Sequence, residues 1–418
     1  MTHPLSVGVV VDLEWGSHAG GHVKCWERFA EAAVACGDGV DLTVYYLGVK
    51  ATTVTIAPHV RYQILPPVLG TNRIPFLQER SRDTDLAPFN PRLAQLLRRH
   101  QVLHFTSAFT SSRTAHRVAH RYHIPLISSI HTDLPTFTRI YSQEIIGRFV
   151  GQGWLYGLLF DRLHLQNWLA EDMRRQWRRL LRDCDRVLVS QPEDRELLQG
   201  LLSEDRLSSL RRGIDKERFH PKHRDRDRLQ ATFGIPSEMP VLLFVGRVDD
   251  SKKVMTLAES AQALWQAGQP LQVLVVGEGS AGERVRRVLG PQVTLPGNLP
   301  QTELSWIYAS ADLFVFPSES EVSPNVVLEA RASGLPVFVS ARDGGAQFVR
   351  QPDIDGVLVR ESSPEAWAQA LLPFLVDPQK RLAMGREARR ALEIYWPSWE
   401  DVFREDLLAV WQSVNPDR

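Results

Sequence analysis

Short apolar runs that alternate with stretches of helical spacing constrain this chain most. Val7-Gly8-Val9-Val10-Val11 is one such run. It ends at Asp12, and a loop closing on Gly20-Gly21 leads into residues 22–36, where Trp26, Phe29, Ala30 and Ala33 share one side. A continuous apolar run of this length reads as a strand covered on both faces, and the three-and-four spacing as a helix. The pattern recurs. Strands are expected at residues 42–47, 61–65, 102–106, 126–130 and 187–190, and again at 241–245, 271–276, 293–295, 313–316, 337–339 and 356–359. Strands alternating with helices imply a parallel sheet with helices on both faces. At 418 residues the chain exceeds one core, so two domains of this kind are expected. The boundaries read as 1–212 and 213–395, with the crossover at Arg211-Arg212-Gly213-Ile214-Asp215. Residues 396–418, with Trp396, Trp399, Phe403 and Trp411, are expected to pack back on the first domain. A cleft between the domains is the expected site.

Open α/β sheets bind ligands where a strand's carboxyl end meets the next helix. Residues 317–336 are such a place. Pro317 ends the strand at 313–316. Ser323 before Pro324 reads as a helix start, with serine as cap and proline at the first helical position. Gly334 and Pro336 stop the helix. Glu321 falls in the loop, and Glu329 lies four residues after Asn325 on the same helix face. A carboxylate only accepts hydrogen bonds, which suits a diol such as a ribose edge. Farther back, Gly246-Arg247 ends the strand at 241–245, and Lys252-Lys253 stands at the head of the next helix. Two cations and a helix dipole suit a pyrophosphate. Turn capping at the surface accounts for either cation singly and less well for both. Two readings of Gly20-Gly21 stand: backbone approach to a ligand, or a plain tight turn. Two also stand for His131 in His131-Thr132-Asp133: a site residue, or a histidine that shapes its loop.

Charge gives no case for nucleic acid, since 49 Lys and Arg balance 49 Asp and Glu. Cys25, Cys36 and Cys184 are widely spaced, which suggests neither a zinc site nor a disulfide scaffold and fits a reducing cytosol. Asp-x-Asp spacing occurs at residues 183–185, 225–227 and 353–355. None follows a clean apolar strand, so chance is the better reading and no metal is expected. Residues 1–6 carry no Lys or Arg, so a signal peptide is not read there. No apolar stretch is long enough to span a bilayer, and a cytoplasmic location is expected. The basic stretch at 174–182 around Trp177 has two readings. The preferred one is a solvated helix whose apolar side covers the sheet; the other is peripheral contact with an anionic membrane at its inner face.

Several motifs now stand in order: Phe244-Val245-Gly246-Arg247 with Lys252, Val275-Val276-Gly277-Glu278-Gly279, Tyr308-Ala309-Ser310-Ala311-Asp312, Pro317-Ser318 with Glu321 and Glu329, and Ala332-Ser333-Gly334-Leu335-Pro336-Val337. Gly20-Gly21, Ser129-Ile130-His131-Thr132 and Arg212-Gly213-Ile214-Asp215 match more loosely. As a set, these resemble family 4 glycosyltransferases, which have the GT-B fold, an α/β architecture of two Rossmann-like domains facing across a cleft. The resemblance implies retaining transfer of a sugar from a nucleotide-sugar donor to an acceptor it does not identify, with no metal or other cofactor. It implies that Arg247 and Lys252 bind the diphosphate and support the leaving group, with Gly246 in the same loop. Glu329 would hold the ribose hydroxyls and Glu321 the donor sugar. Ser323 and the backbone N–H groups of Asn325 and Val326 would lie on the donor side. His131 would reach across the cleft to the sugar or β-phosphate, and Gly20 and Gly21 would lie near the diphosphate. Two departures bear on the sugar pocket: Val322 stands where the family has glycine, and Gln347 follows Asp343-Gly344-Gly345 where a carboxylate is common. They motivate a competing reading as a nucleotide-sugar-binding protein or pseudo-glycosyltransferase. A phosphorylase-like enzyme of the same fold would need a phosphate-acceptor or pyridoxal-phosphate site, for which the sequence gives no clear signal. Residues 128–135, with Tyr141, are also similar to lipid-directed members such as glycolipid mannosyl- or sulfoquinovosyltransferases.

Overall fold

The computed structural model describes residues 4–16, 21–37, 39–70, 85–130, 165–190, 192–319, 323–342 and 344–415. The chain divides into two compact units, one of Met1–Arg211 with Trp399–Arg418 and one of Arg212–Ser398.

The strands of the first unit are β1 (Leu5–Glu14), β2 (Val40–Leu47), β3 (Thr52–Ala57), β4 (Val60–Leu65), β5 (Val102–Phe105), β6 (Leu126–Ser129), β7 (Arg186–Val189) and β8 (Leu207–Ser209). They form one sheet in the order β3-β4-β2-β1-β5-β6-β7-β8. Neighbours run parallel except β3, which is antiparallel to β4. The sequence did not announce β3. It is a threonine-rich edge strand with no buried residue, so it lacks the apolar run that marks a central strand. β8 is only three residues long and equally inconspicuous.

Burial on both faces of β1 follows from its apolar run. Val7, Val9 and Val11 enter one core with Trp26 and Phe29 of the helix Gly21–Cys36. Val10 faces the other core, with Leu93, Leu97, Ala115 and Val118 from the helices Pro91–Leu97 and Thr110–Tyr122. The terminal residues complete the first core. Trp399 meets Phe29 edge to face with ring centroids 5.2 Å apart, and Trp411 is fully buried.

The second unit holds β9 (Val241–Val245), β10 (Gln272–Val276), β11 (Val293–Gly297), β12 (Leu313–Phe316), β13 (Val337–Ser340) and β14 (Val357–Val359). The order is β11-β10-β9-β12-β13-β14, all parallel. A buried ion pair ties its far side: Arg331 donates to the carboxylate and carbonyl of Asp355, both at 2.8 Å, and stacks its guanidinium 5.3 Å from the Trp396 ring.

Candidate active site

In the second unit the chain leaves β9 toward β10 and β11, then returns to the other side of β9 at β12. The loops beyond the carboxyl ends of β9 and β12 therefore diverge, and a crevice forms between them. Glycines fix the strand ends on its β9 side. The N–H of Gly246 donates to the Val276 carbonyl at 3.0 Å, and that of Gly277 to Gly297 at 2.9 Å. Gly277 has φ +138°, and a Cβ there would fall 1.9 Å from the Gly246 carbonyl oxygen. A Cβ on Gly279 would fall 2.2 Å from the carbonyl oxygen of Val248. Three strand ends are thus locked backbone to backbone, and only glycine permits the approach.

Arg247 and Lys252 share the loop after β9, where Asp249 is the organiser. Its carboxylate accepts from Arg247 at 2.6 Å, from the Ser251 hydroxyl at 2.5 Å and from the Lys252 N–H at 3.2 Å. Arg247 remains 60% exposed, while Lys252 is buried. Sequence reasoning did not pick out Asp249; its place three residues before a lysine at a helix head was the available signal. Lys253 adopts the left-handed conformation (φ 50°) just before the helix Val254–Gln266. Its ammonium lies 2.5 Å from Glu319 in the loop after β12, and Glu319 also accepts from Ser362 at 2.5 Å. The Lys253 and Ser362 hydrogen bonds hold the Glu319 carboxyl below its usual range. The two sides of the crevice are thereby tied together.

The helix after β12 spans Asn325–Ala332, one residue later than the sequence suggests. Proline fixes φ but leaves ψ free. Pro324 takes ψ 110° and occupies the cap position itself, and among the described residues no side chain caps the helix. Ser323 is therefore not the cap expected of it. The N–H groups of Asn325 and Val326 head this uncapped terminus, where the helix dipole favours an anion. The side-chain amide oxygen of Asn325 is buried with no hydrogen-bond partner among the described residues. Glu329 is buried and accepts a 3.0 Å hydrogen bond from the fully buried Tyr308. Burial first, and Glu329 second, push the Tyr308 phenol well above its ordinary value, so it stays a donor to the carboxylate. Gln347 donates to the Gly344 carbonyl at 2.6 Å.

The corresponding crevice of the first unit lies between β1 and β5. Asp12, at 2% exposure, fills it. Its carboxylate accepts from the N–H groups of Ser111 (2.7 Å) and Ser112 (3.2 Å), from the Ser112 hydroxyl (2.8 Å) and from the Ser107 hydroxyl. This cap comes from 99 residues away, and sequence spacing does not reveal it. Gly21 opens the first helix and is exposed, and a Cβ there would meet no atom of the described residues within 4 Å. Gly20, His131 and Glu321, with Val322 and Asp343, lie outside the described residues. Trp177 is 5% exposed and belongs to the core of its unit, while Arg174, Arg175, Arg178 and Arg179 on the same helix are exposed. The tryptophan is thus unavailable to a membrane because the apolar side of its helix covers the sheet. The Asp-x-Asp pairs serve structure: Asp183 meets His116, Asp185 accepts from the Leu126 N–H, Asp225 caps a helix, and Asp355 pairs with Arg331.

The family described as glycosyl transferases group 1 matches residues 225–391, and that described as glycosyltransferase family 4 matches residues 19–218. The chain belongs to this glycosyltransferase family. Its enzyme class is that of a glycosyltransferase, and its two parallel-sheet units are those of the GT-B fold. Sulfoquinovosyl transferase SQD2 of Arabidopsis thaliana is 27% identical over 94% of this chain and 71% of its own length. D-inositol 3-phosphate glycosyltransferase of Saccharomonospora viridis is 31% identical over 54% of this chain and 57% of its own length, so the chain spans a little over half of that relative. Among solved structures, sucrose-phosphate synthase of Thermosynechococcus elongatus superposes with TM-score 0.70 and 19% identity, covering 99% of this chain and all of that one. Anabaena Alr3699/HepE, solved with UDP and glucose, gives 0.67 and 15%, covering 98% of this chain and all of that one. No helix among the described residues is long and apolar enough to cross a membrane.

Proposed function

We propose that this glycosyltransferase takes its sugar from a nucleoside-diphosphate donor held by the second unit, and transfers it with retention and without a metal. The observation that carries the reading is the helix terminus at Asn325 and Val326, whose cap residue Pro324 offers its N–H groups no side-chain acceptor. The Asn325 side-chain oxygen, an acceptor that a sugar or ribose hydroxyl can meet, is buried beside it without a partner among the described residues. Polar atoms left this way cost stability until a ligand supplies partners. A phosphate oxygen can take the two N–H groups. Arg247 and Lys252 share the loop that forms the crevice's other side, and the tie between Lys253 and Glu319 holds that loop against the loop before the helix.

When the bond from the anomeric carbon to the phosphate oxygen breaks, negative charge builds on the departing diphosphate. Cations and a dipole fixed in advance stabilise that charge without reorganisation. This supplies the positive charge that a metal would otherwise bring. Arg247 leaves one bond to Asp249 and takes one to phosphate, so its contribution is an exchange of anionic partners. Glu329, oriented by the Tyr308 hydroxyl, accepts from the ribose hydroxyls. No carboxylate among the described residues of the crevice is placed as a nucleophile. The reading of retention is attack by the acceptor hydroxyl on the face that the diphosphate leaves, its proton passing to the departing phosphate oxygen. The anomeric carbon then gains the acceptor oxygen as it loses the phosphate oxygen.

Calorimetric titration of nucleoside diphosphates and their sugars, with release of nucleoside diphosphate as the turnover assay, tests this. Glu329→Ala should weaken donor binding about tenfold or more, the scale of losing a charge-assisted hydrogen bond. Arg247→Ala and Lys252→Ala should lower turnover more than binding. Tyr308→Phe should raise the donor KM and spare turnover at saturation. Binding and turnover unchanged in all four would overturn the assignment. Donor binding with no transfer to any of a broad set of acceptors would favour a binding protein over a transferase.

A further inference from the structure

Residues 86–132 contain no Asp or Glu, in a chain whose charges balance as a whole. They contain six arginines: Arg92, Arg98, Arg99, Arg113, Arg117 and Arg121. The two helices Pro91–Leu97 and Thr110–Tyr122 bring three of them to one groove of about 480 Å³ on the first unit. Arg98, Arg117 and Arg121 line it together with Phe89, Gln95 and Tyr122. The Arg117 guanidinium stands 5.6 Å over the Phe89 ring, which fixes it at the groove wall. Tyr122 is 49% exposed. Among the described residues no carboxylate pairs with any of the three arginines. The acids that the second helix meets are engaged elsewhere: Asp12 on Ser111 and Ser112 at its start, and Asp183 on His116 at 2.7 Å. The helix dipoles account for a cation at the two C-terminal turns, where Arg98 and Arg121 stand. They do not account for Arg117, which lies earlier in its helix and over an aromatic ring.

We infer that this groove is an anion site for a phosphate group, separate from the donor crevice of the second unit. Planar guanidinium forks match phosphate oxygens in pairs, and an amide and a phenol add neutral hydrogen-bond donors. The site draws on an unneutralised local field that a balanced net charge conceals. The phosphate has two sources, the head group of an anionic phospholipid at a membrane surface or a phosphate free in solution.

The test uses the full chain and the variant Arg98→Gln/Arg117→Gln/Arg121→Gln. All three positions are exposed, so melting should be unaltered, and nucleotide titration of the variant should match the parent. Flotation is measured with vesicles of phosphatidylcholine, with and without phosphatidylglycerol. Calorimetry is run with inorganic phosphate in a Lys252→Ala background, which weakens phosphate binding in the donor crevice. A lipid source predicts flotation only with phosphatidylglycerol, weakened about a hundredfold in the triple variant, the scale of losing three surface arginines. A soluble source predicts no flotation, with phosphate heat that the triple substitution abolishes. Parent and variant behaving alike in both assays, or no binding in either, overturns the proposal.

Discussion

Each unit has a crevice at the point where its strand order reverses, and the two are used differently. Between β1 and β5 the crevice is closed from within: Asp12 reaches the start of the helix Thr110–Tyr122 and takes hydrogen bonds from two backbone N–H groups and two serine hydroxyls. Between β9 and β12 the equivalent helix start has no side-chain cap among the described residues, and the Asn325 side-chain oxygen is buried without a partner among them. The topologies correspond, so topology alone does not select the binding side. Side chains do. A crevice whose helix terminus is already capped by a carboxylate repels an anion there, and one whose terminus is uncapped attracts it. The second difference is in construction. The second unit locks strand ends backbone against backbone at Gly246, Gly277 and Gly279, in addition to the side-chain bonds of Asp249 and Glu319. In the first, the start of the helix Thr110–Tyr122 is held by side-chain hydrogen bonds to Asp12 over long sequence separations.

That difference can be broken from either side. The largest effect is expected at Gly277→Ala, where the methyl meets the Gly246 carbonyl and φ is +138°. Overpacking and backbone strain together predict a loss of about 4 kcal/mol in urea unfolding. Gly234→Ala is the control. Its φ of +70° is also unfavourable, but nothing lies within 4 Å, so about 1 kcal/mol is expected. Equal losses would show that backbone contact does not hold the loops.

Asp12→Ala comes next. It leaves two N–H groups and two hydroxyls buried without their acceptor, for a predicted loss of about 3 kcal/mol with donor binding to the second unit unchanged. A loss of donor binding that matches the loss of stability would contradict the division of labour.

The smallest effect separates the units by pH. Burial lowers His104 to about 3 and His100 to about 4, against an ordinary 6.5. Both stay neutral in the folded protein, while the unfolded chain takes up protons below pH 6.5. The stability they confer is therefore complete above pH 6.5 and drains as pH falls toward 4 and then 3. One pH unit below the ordinary value, each should cost about 1.4 kcal/mol. His220 and His223 of the second unit are not buried. Hydrogen exchange at neutral pH and at about pH 5 should show the first unit loosening first, and uniform acceleration would reject this.

Legibility in the sequence followed the same divide. The parallel strands, the glycine loops and the pairing of Arg247 and Lys252 with a helix head were readable because each depends on residues close in the chain. Glu329 was readable as a carboxylate on a helix; its partner Tyr308 stood within a motif but showed no sign of where its hydroxyl points. Asp12, Asp249 and the edge strand β3 were missed for physical reasons. Asp12 acts on residues 99 away, Asp249 works by folding its own loop, and β3 has no face to bury. The Ser323 cap failed because Pro324 could meet its fixed φ with an extended ψ as well as a helical one. The Trp177 stretch matches its preferred reading, a solvated helix whose apolar side covers the sheet: the arginines are exposed and the ring serves the core.

The central claim is that the donor diphosphate sits on the second unit, between the Arg247–Lys252 loop and the start of the helix Asn325–Ala332. Hydrogen exchange of the full chain with and without a saturating nucleoside diphosphate tests it most directly. Slowed exchange at residues 246–254 and 325–329, lost in Glu329→Ala, is the predicted result. Saturable binding that leaves both segments unchanged, or protection confined to the first unit, would contradict it.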